Sequence, residues 1–115
     1  MNTNIALKEA LEPLLPGRAA PVEYTGKSLE YIVWNHSMIP EVFAEGIPHA
    51  ARYLVQVHYY LPNGKNPDPM KVRICQALMA ADFTCPSIQD ANEAEGQHYV
   101  FECEYLNAGP AYGED

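Results

Sequence analysis

The sequence lacks basic residues beyond Arg73. All seven Lys and Arg residues lie at or before this position, where seven Asp and Glu residues balance them, whereas the residues after it include eight acids and no base. The net charge of −8 therefore comes entirely from the C-terminal part of the chain. Because affinity for nucleic-acid phosphates comes from Lys and Arg, this distribution disfavours a protein that reads DNA sequence.

The sequence also lacks a long hydrophobic run. No apolar stretch approaches the ~20 residues that span a membrane, and the first residues lack the basic start and long apolar stretch of a signal peptide. We therefore expect a protein made and kept in the cytosol, with no membrane partner. The three cysteines, Cys75, Cys85 and Cys103, show no CxxC spacing. We expect buried, reduced thiols rather than a disulfide framework.

Motifs that would name a reaction are absent as well. The glycines between strands and helices are isolated, so no loop of the phosphate-cradling kind is present. No serine or cysteine lies in a GxSxG elbow, which argues against nucleophilic catalysis of that type. We predict no catalytic residue and no cofactor.

The best-defined part of the chain is a strand, a turn-rich loop and a helix, within residues 52–83. Residues 53–60 alternate with the period of two that is typical of a strand whose faces meet different surroundings. Asp68 directly before Pro69 predicts the start of a helix, and an apolar stripe then runs from Met70 to Ala81. This stripe requires a sheet to cover.

The remaining pattern predicts an opening helix that ends near Glu12, because Pro13 follows, and strands at 20–25, 29–37, 83–88 and 99–106. Residues 39–43 are expected to continue the second strand after a break, and the acidic segment 90–96 to form a hairpin connection. Together these elements predict an α+β fold with a single, mainly antiparallel sheet of four to five strands and two helices packed on one face. At 115 residues we expect one domain, residues 1–107, followed by a flexible tail at 108–115.

One candidate site is ionic. We expect His36, His58, Glu102 and Glu104 to lie on the more polar side of neighbouring strands, and histidine with carboxylate can bind a divalent metal. The alternative is a solvated sheet face with scattered polar residues, because a register slip of one residue turns any side chain to the opposite face.

Two other segments are candidate contact surfaces. The acids of the C-terminal part either provide solubility or line a channel in a ring of subunits, where repeated carboxylates repel passing DNA; the channel candidates are Asp90, Glu93, Glu95, Glu102 and Glu104. The loop after the best strand is either an inert connection or a surface for a neighbouring subunit or partner, and its candidate residues are Asn63, Gly64, Lys65 and Asn66. The predicted loop at 38–49 is a third contact surface.

Several phrases of the sequence resemble a known group of virion proteins. They are the opening segment 5–15, which is followed by Pro16-Gly17, the strand 31–35, the strand 53–60 with its loop and helix, and the closing strand 96–105. In this pattern, which covers most of residues 3–107, the chain resembles the tail terminator, or tail completion, proteins of long-tailed bacteriophages. These are minor tail proteins that lie between the tail tube and the head.

The resemblance implies a non-enzymatic structural protein that forms a ring, commonly a hexamer, in the virion tail after assembly in the host cytoplasm. Its partners would be copies of itself, the tail-tube protein and the head–tail connector, and DNA would pass through the ring without specific binding. Free backbone groups on an edge strand would pair with the neighbouring tail-tube subunit. Two alternatives stay open: a small metal-dependent enzyme that uses the histidines and glutamates named above, and an adaptor domain that binds a peptide.

Overall fold

The computed structural model describes residues 2–44 and 47–108. The elements are α1 (Thr3–Leu11), β1 (Ala19–Pro21), β2 (Tyr31–Ala44), β3 (Ile47–Leu61), α2 (Asp68–Ala80), β4 (Ser87–Asp90) and β5 (Gln97–Ala108). The strands form one sheet in the order β1-β2-β3-β5-β4, in which only the short β1 is parallel to its neighbour. This confirms the predicted α+β class and the mainly antiparallel sheet. Of the predicted tail, Ala108 belongs to β5 and residues 109–115 lie outside the described residues.

The opening helix α1 ends where the sequence predicts. Its last residue before the C-cap Glu12 is Leu11, because Pro13 follows. The N-cap is Asn2, whose side chain accepts a hydrogen bond from the Ile5 N–H at 2.9 Å. Leu7 and Leu11 are fully buried against the sheet.

The second helix, α2, begins at Asp68, and the residue that caps it is Pro67, which has no side chain able to accept a hydrogen bond. The Asn66 side chain instead accepts from the Asp68 N–H at 3.1 Å. Ile74 and Leu78 of the predicted apolar stripe are fully buried. The helix ends one residue before Ala81, and Asp82 then takes a left-handed conformation with φ of 69°, which Asp tolerates better than most residues.

Strands β2 and β3 form a much longer hairpin than the sequence predicts. Their register is continuous from Tyr31 opposite Tyr60 to Ala44 opposite Ile47, without a bulge. The prediction of a loop at 38–49 is therefore wrong, since the described residues of that segment belong to two paired strands, whereas its role as a contact surface stays a prediction. The expected break before residues 39–43 is absent. Pro40 fits within β2 because it has the parity of Ile32, whose N–H points away from β3, so the missing N–H removes no hydrogen bond to β3.

Alternation along β3 divides the sheet into two faces. Tyr53, Val55, Val57 and Tyr59 lie on the face that both helices cover, and each is at most 1% exposed. Phe101 and Cys103 of β5 lie on the same face, and Tyr105 is half-buried there. We call the opposite side of the sheet, to which Leu54, Gln56, His58 and Tyr60 belong, the open face.

The cysteines do not share one environment. Cys103 is buried in the core, and burial raises the pKa of its thiol to about 12. Cys75 is half-buried, and burial also raises the pKa of its thiol. The prediction of a buried thiol is wrong for Cys85, which is exposed because it follows the end of α2 in an irregular segment rather than a strand.

Candidate functional site

The predicted group of two histidines and two glutamates does not come together. His36 lies opposite Val55 and therefore on the helix-covered side, where its ring meets Tyr53 edge-on at 5.3 Å. His58, Glu102 and Glu104 lie on the open face. In residues 2–44 and 47–108, no three His, Cys, Asp or Glu side chains form a group able to hold a metal ion. The parity of Trp34, a core residue two positions before His36, is the sequence signal that places this histidine on the covered side.

The five predicted channel acids lie in three places. Glu102 and Glu104 project from β5 on the open face, where Glu104 forms an ion pair with Arg52 at 3.2 Å. Glu93 and Glu95 are exposed in the turn between β4 and β5, which a bridge between Glu93 and Gly96 closes. Asp90 has the opposite parity, because it pairs with Tyr99 of the covered face. The acids therefore do not form one surface within a subunit, although four of them lie on or beside the open face.

The predicted contact loop 63–66 is tied to this acidic turn. Asn63 donates a hydrogen bond from its side chain to the carbonyl of Ala94 at 3.0 Å. The side chain of Gln97 donates to the carbonyls of Pro62 and Lys65, both at 2.9 Å. Gly64 has a φ of 88°, which a residue with a side chain adopts only with strain. Two segments that the sequence suggests separately thus form one end of the molecule.

A row of stacked rings crosses this end of the open face. Tyr31, Tyr60 and His98 are direct cross-strand neighbours on β2, β3 and β5. Ring centroids are 4.7 Å apart for Tyr24 and Tyr31, 4.6 Å for Tyr31 and Tyr60, and 4.1 Å for Tyr60 and His98, with interplanar angles below 20°. We call these four residues the aromatic row. Stacks of this kind stabilise strand pairing, and sequence reasoning misses this one because it depends on the register of three strands.

A pair of histidines continues the row. His58 Nδ1 lies 2.8 Å from His98 Nε2, and Asn35 Nδ2 lies 3.3 Å from His58 Nε2. An amide nitrogen only donates, so His58 Nε2 accepts the hydrogen bond from Asn35. The proton of His58 then lies on Nδ1, which donates to Nε2 of a neutral His98. Burial is the main cause that lowers the pKa of both imidazoles; His98 lowers that of His58 further, whereas Glu93 opposes the shift at His98.

This pair predicts a pH dependence of stability. The pKa of each histidine is lower in the folded protein than its ordinary value of 6.5, so the unfolded chain binds more protons and stability falls as pH falls through 6.5. The free energy of unfolding from urea titrations should decrease between pH 7.5 and 6, above the range in which ordinary carboxylates titrate. The decrease should be smaller in a His58→Gln/His98→Gln variant. Imidazole NMR signals that titrate at or above pH 6.5 would contradict it.

Two concavities lie on the open face. The larger, of about 520 Å³, is a wide groove along the middle of the sheet, lined by residues such as Asn35, Gln56, Cys85 and Glu102. The smaller, of about 270 Å³, lies between the aromatic row and the acidic turn.

The part of the chain that the structure describes includes no helix long and apolar enough to cross a membrane.

Comparison with known proteins shows the fold and no more. No protein-family model matches the sequence, and no curated protein matches it. Eight chains of solved structures match. One of them, whose name states no function, aligns with a TM-score of 0.54 at 12% identity, over 95% of this chain and 97% of its own length. This likeness covers the whole α+β domain and assigns no activity.

Proposed function

We propose that this protein is a structural component of a virion, a ring-forming subunit that caps the tail tube of a long-tailed phage and joins it to the head connector. The proposal combines the pattern of the sequence with an interaction surface that the fold provides. The observation that carries it is the free outer edge of β2.

This edge begins after Trp34. The short β1 pairs with only three residues of β2, Ile32 to Trp34. From Asn35 to Ala44, no other strand of the described chain pairs with the outer side of β2. A strand of ten residues with unpaired backbone groups is a template for another chain. We call it the free edge.

The direction of each N–H along the free edge follows from two hydrogen bonds. The Ile32 N–H donates to the carbonyl of Arg18, and the Trp34 carbonyl accepts from the Val22 N–H, both at 2.8 Å and both on the side away from β3. Because the β2–β3 register has no bulge, His36 and Met38 point their backbone groups the same way. Met38 is 47% exposed, so its side chain is also available to a neighbour.

In the proposed ring the acidic side chains have an electrostatic role and no catalytic one. Carboxylates such as Glu102 on the open face, repeated in each subunit, would repel DNA from the wall of a channel. The molecule measures 55 × 24 × 23 Å, a length that suits a subunit with a body under the helices and an arm formed by the long hairpin. A peptide-binding adaptor would use the same edge, but it would remain a monomer without its peptide.

The experiment compares two variants at Met38. Met38→Pro removes the outward N–H and places a ring carbon where a partner carbonyl would lie, whereas Met38→Leu keeps both the N–H and an apolar side chain. Native mass spectrometry and negative-stain microscopy across concentration should show rings for the unmodified chain and for Met38→Leu. Met38→Pro should require at least about tenfold more protein to assemble, which is the loss of about one hydrogen bond.

Two results would contradict the proposal. One is a chain that stays monomeric at every concentration and neither binds tail tubes nor limits their growth. The other is a set of rings that Met38→Pro leaves unchanged.

A further inference from the structure

The smaller cavity of the open face combines an apolar wall with acidic groups. Its apolar wall includes Leu29 and Pro62, and the tyrosines Tyr31 and Tyr60 of the aromatic row line it as well. The faces of these two rings are covered by their stacking neighbours. Their edges and hydroxyl groups are therefore what remains to contact a guest.

The polar groups around the cavity are mainly acceptors. Glu93 and Glu95 line it with their carboxylates, and no Lys or Arg does so. In the described part of the chain, no ion pair involves either glutamate. Gln97 also lines the cavity, but its amide nitrogen is already bound to two backbone carbonyls and its amide oxygen accepts from Tyr99. The charge of the cavity is thus negative and uncompensated.

We infer that this cavity is a recognition site for an arginine side chain presented by a partner protein. An aliphatic stem fits along the apolar wall while the charged head stays near water. The planar guanidinium has five donors and matches carboxylates in a fork geometry, whereas lysine offers a single point charge. The two glutamates lie two residues apart in one closed turn, so they can approach the guanidinium from one side.

A different protein is the better source of this arginine, because two of the three arginines of this chain already form ion pairs within the subunit. The sequence contains only three arginines, Arg18, Arg52 and Arg73. Arg18 forms an ion pair with Glu30, and Arg52 with Glu104. Only Arg73 would be left for a second copy to insert. The inference does not rest on the proposed function, because the cavity is formed within one subunit and lies at the opposite end of β2 from the free edge.

The experiment is an NMR titration of the purified full chain with N-acetyl-arginine amide. N-acetyl-citrulline amide, which has nearly the same shape and no charge, is the matched control ligand. We expect saturable shifts at Tyr31, Tyr60 and His98 with a Kd between about 1 and 10 mM, as a probe this small allows. The citrulline compound should bind at least about fivefold more weakly, and added salt should weaken only the arginine compound.

Variants locate the site. Glu93→Gln with Glu95→Gln should weaken binding about tenfold, from the loss of two partly exposed charge contacts. Glu102→Gln, which removes a charge from the same face outside this cavity, should leave binding unchanged. Equal binding of citrulline, or equal weakening by Glu102→Gln, would overturn the inference. So would the absence of saturable shifts.

One further measurement tests the identity of the partner. Self-association of the chain should be the same for Arg73→Gln and for the unmodified protein. If Arg73→Gln and the Glu93/Glu95 double variant abolish self-association alike, the occupant is a second copy and the assignment to a different protein fails. Because the Met38 variants test the free edge separately, failure of ring formation and failure of this site are distinguishable.

Discussion

Replacing Trp34 with alanine should lower the free energy of unfolding by about 3–5 kcal/mol, the range for truncating a large buried aromatic residue. Trp34 is 1% exposed, and its indole N–H donates to the side chain of Asn4 at 3.1 Å. It therefore joins β2 to α1 by both packing and a hydrogen bond. A domain of this size is stable by about 5–15 kcal/mol, so the loss is a large fraction of the total. Urea unfolding followed by circular dichroism measures it.

The matched control is Leu54→Ala on the other side of the sheet. Leu54 is 42% exposed on the open face, so its truncation should cost less than about 1 kcal/mol. If the two variants lose similar stability, the helix-covered face does not contain the core, and the division of the sheet into two faces is wrong.

Proline at two adjacent positions of β2 should have very different effects on stability. Ser37 lies opposite Leu54 and, by alternation from Ile32 and Trp34, points its N–H toward β3. Ser37→Pro removes this ladder bond and leaves its acceptor unsatisfied, which should cost about 2–3 kcal/mol. Met38→Pro removes an N–H on the free edge and should cost less than about 1 kcal/mol, as the natural Pro40 of the same parity is tolerated.

The comparison is made by urea unfolding at a protein concentration where both variants are monomeric. Both contain one added proline, so the general effect of proline on the unfolded chain cancels. Equal destabilisation would mean that the outer side of β2 is paired within the subunit. The free edge would then not exist, and the proposed route to assembly would fail.

Local pattern was sufficient for much of the fold. The alternation along Tyr53 to Tyr60 and along Tyr99 to Cys103 predicts the covered face correctly, because burial on one side imposes a period of two on each strand. Pro13 predicts the end of α1 for a steric reason that needs no tertiary context. These features depend on a few neighbouring residues only.

The features that the sequence did not predict depend on register between strands. The unbroken course of β2 through Pro40 depends on the outer side of the strand being unpaired there, which the sequence alone does not show. His36 is an exception, because the parity of the buried Trp34 in the same strand already indicates the covered face. Tyr31, Tyr60 and His98 are far apart in sequence, and only three aligned strands stack their rings. The sequence predicts the acidic turn and the loop 63–66 as two contact surfaces. It does not predict the hydrogen bonds that join these two segments.

The most direct measurement of the central claim is amide hydrogen exchange at His36 and Met38, compared between the monomer and the assembled particle. In the monomer both N–H groups face away from β3 and should exchange rapidly, as exposed edge amides do. In a ring built by strand pairing along the free edge, we predict that their exchange slows by at least about 100-fold. Exchange that remains as fast in the assembled particle as in the monomer would contradict the account.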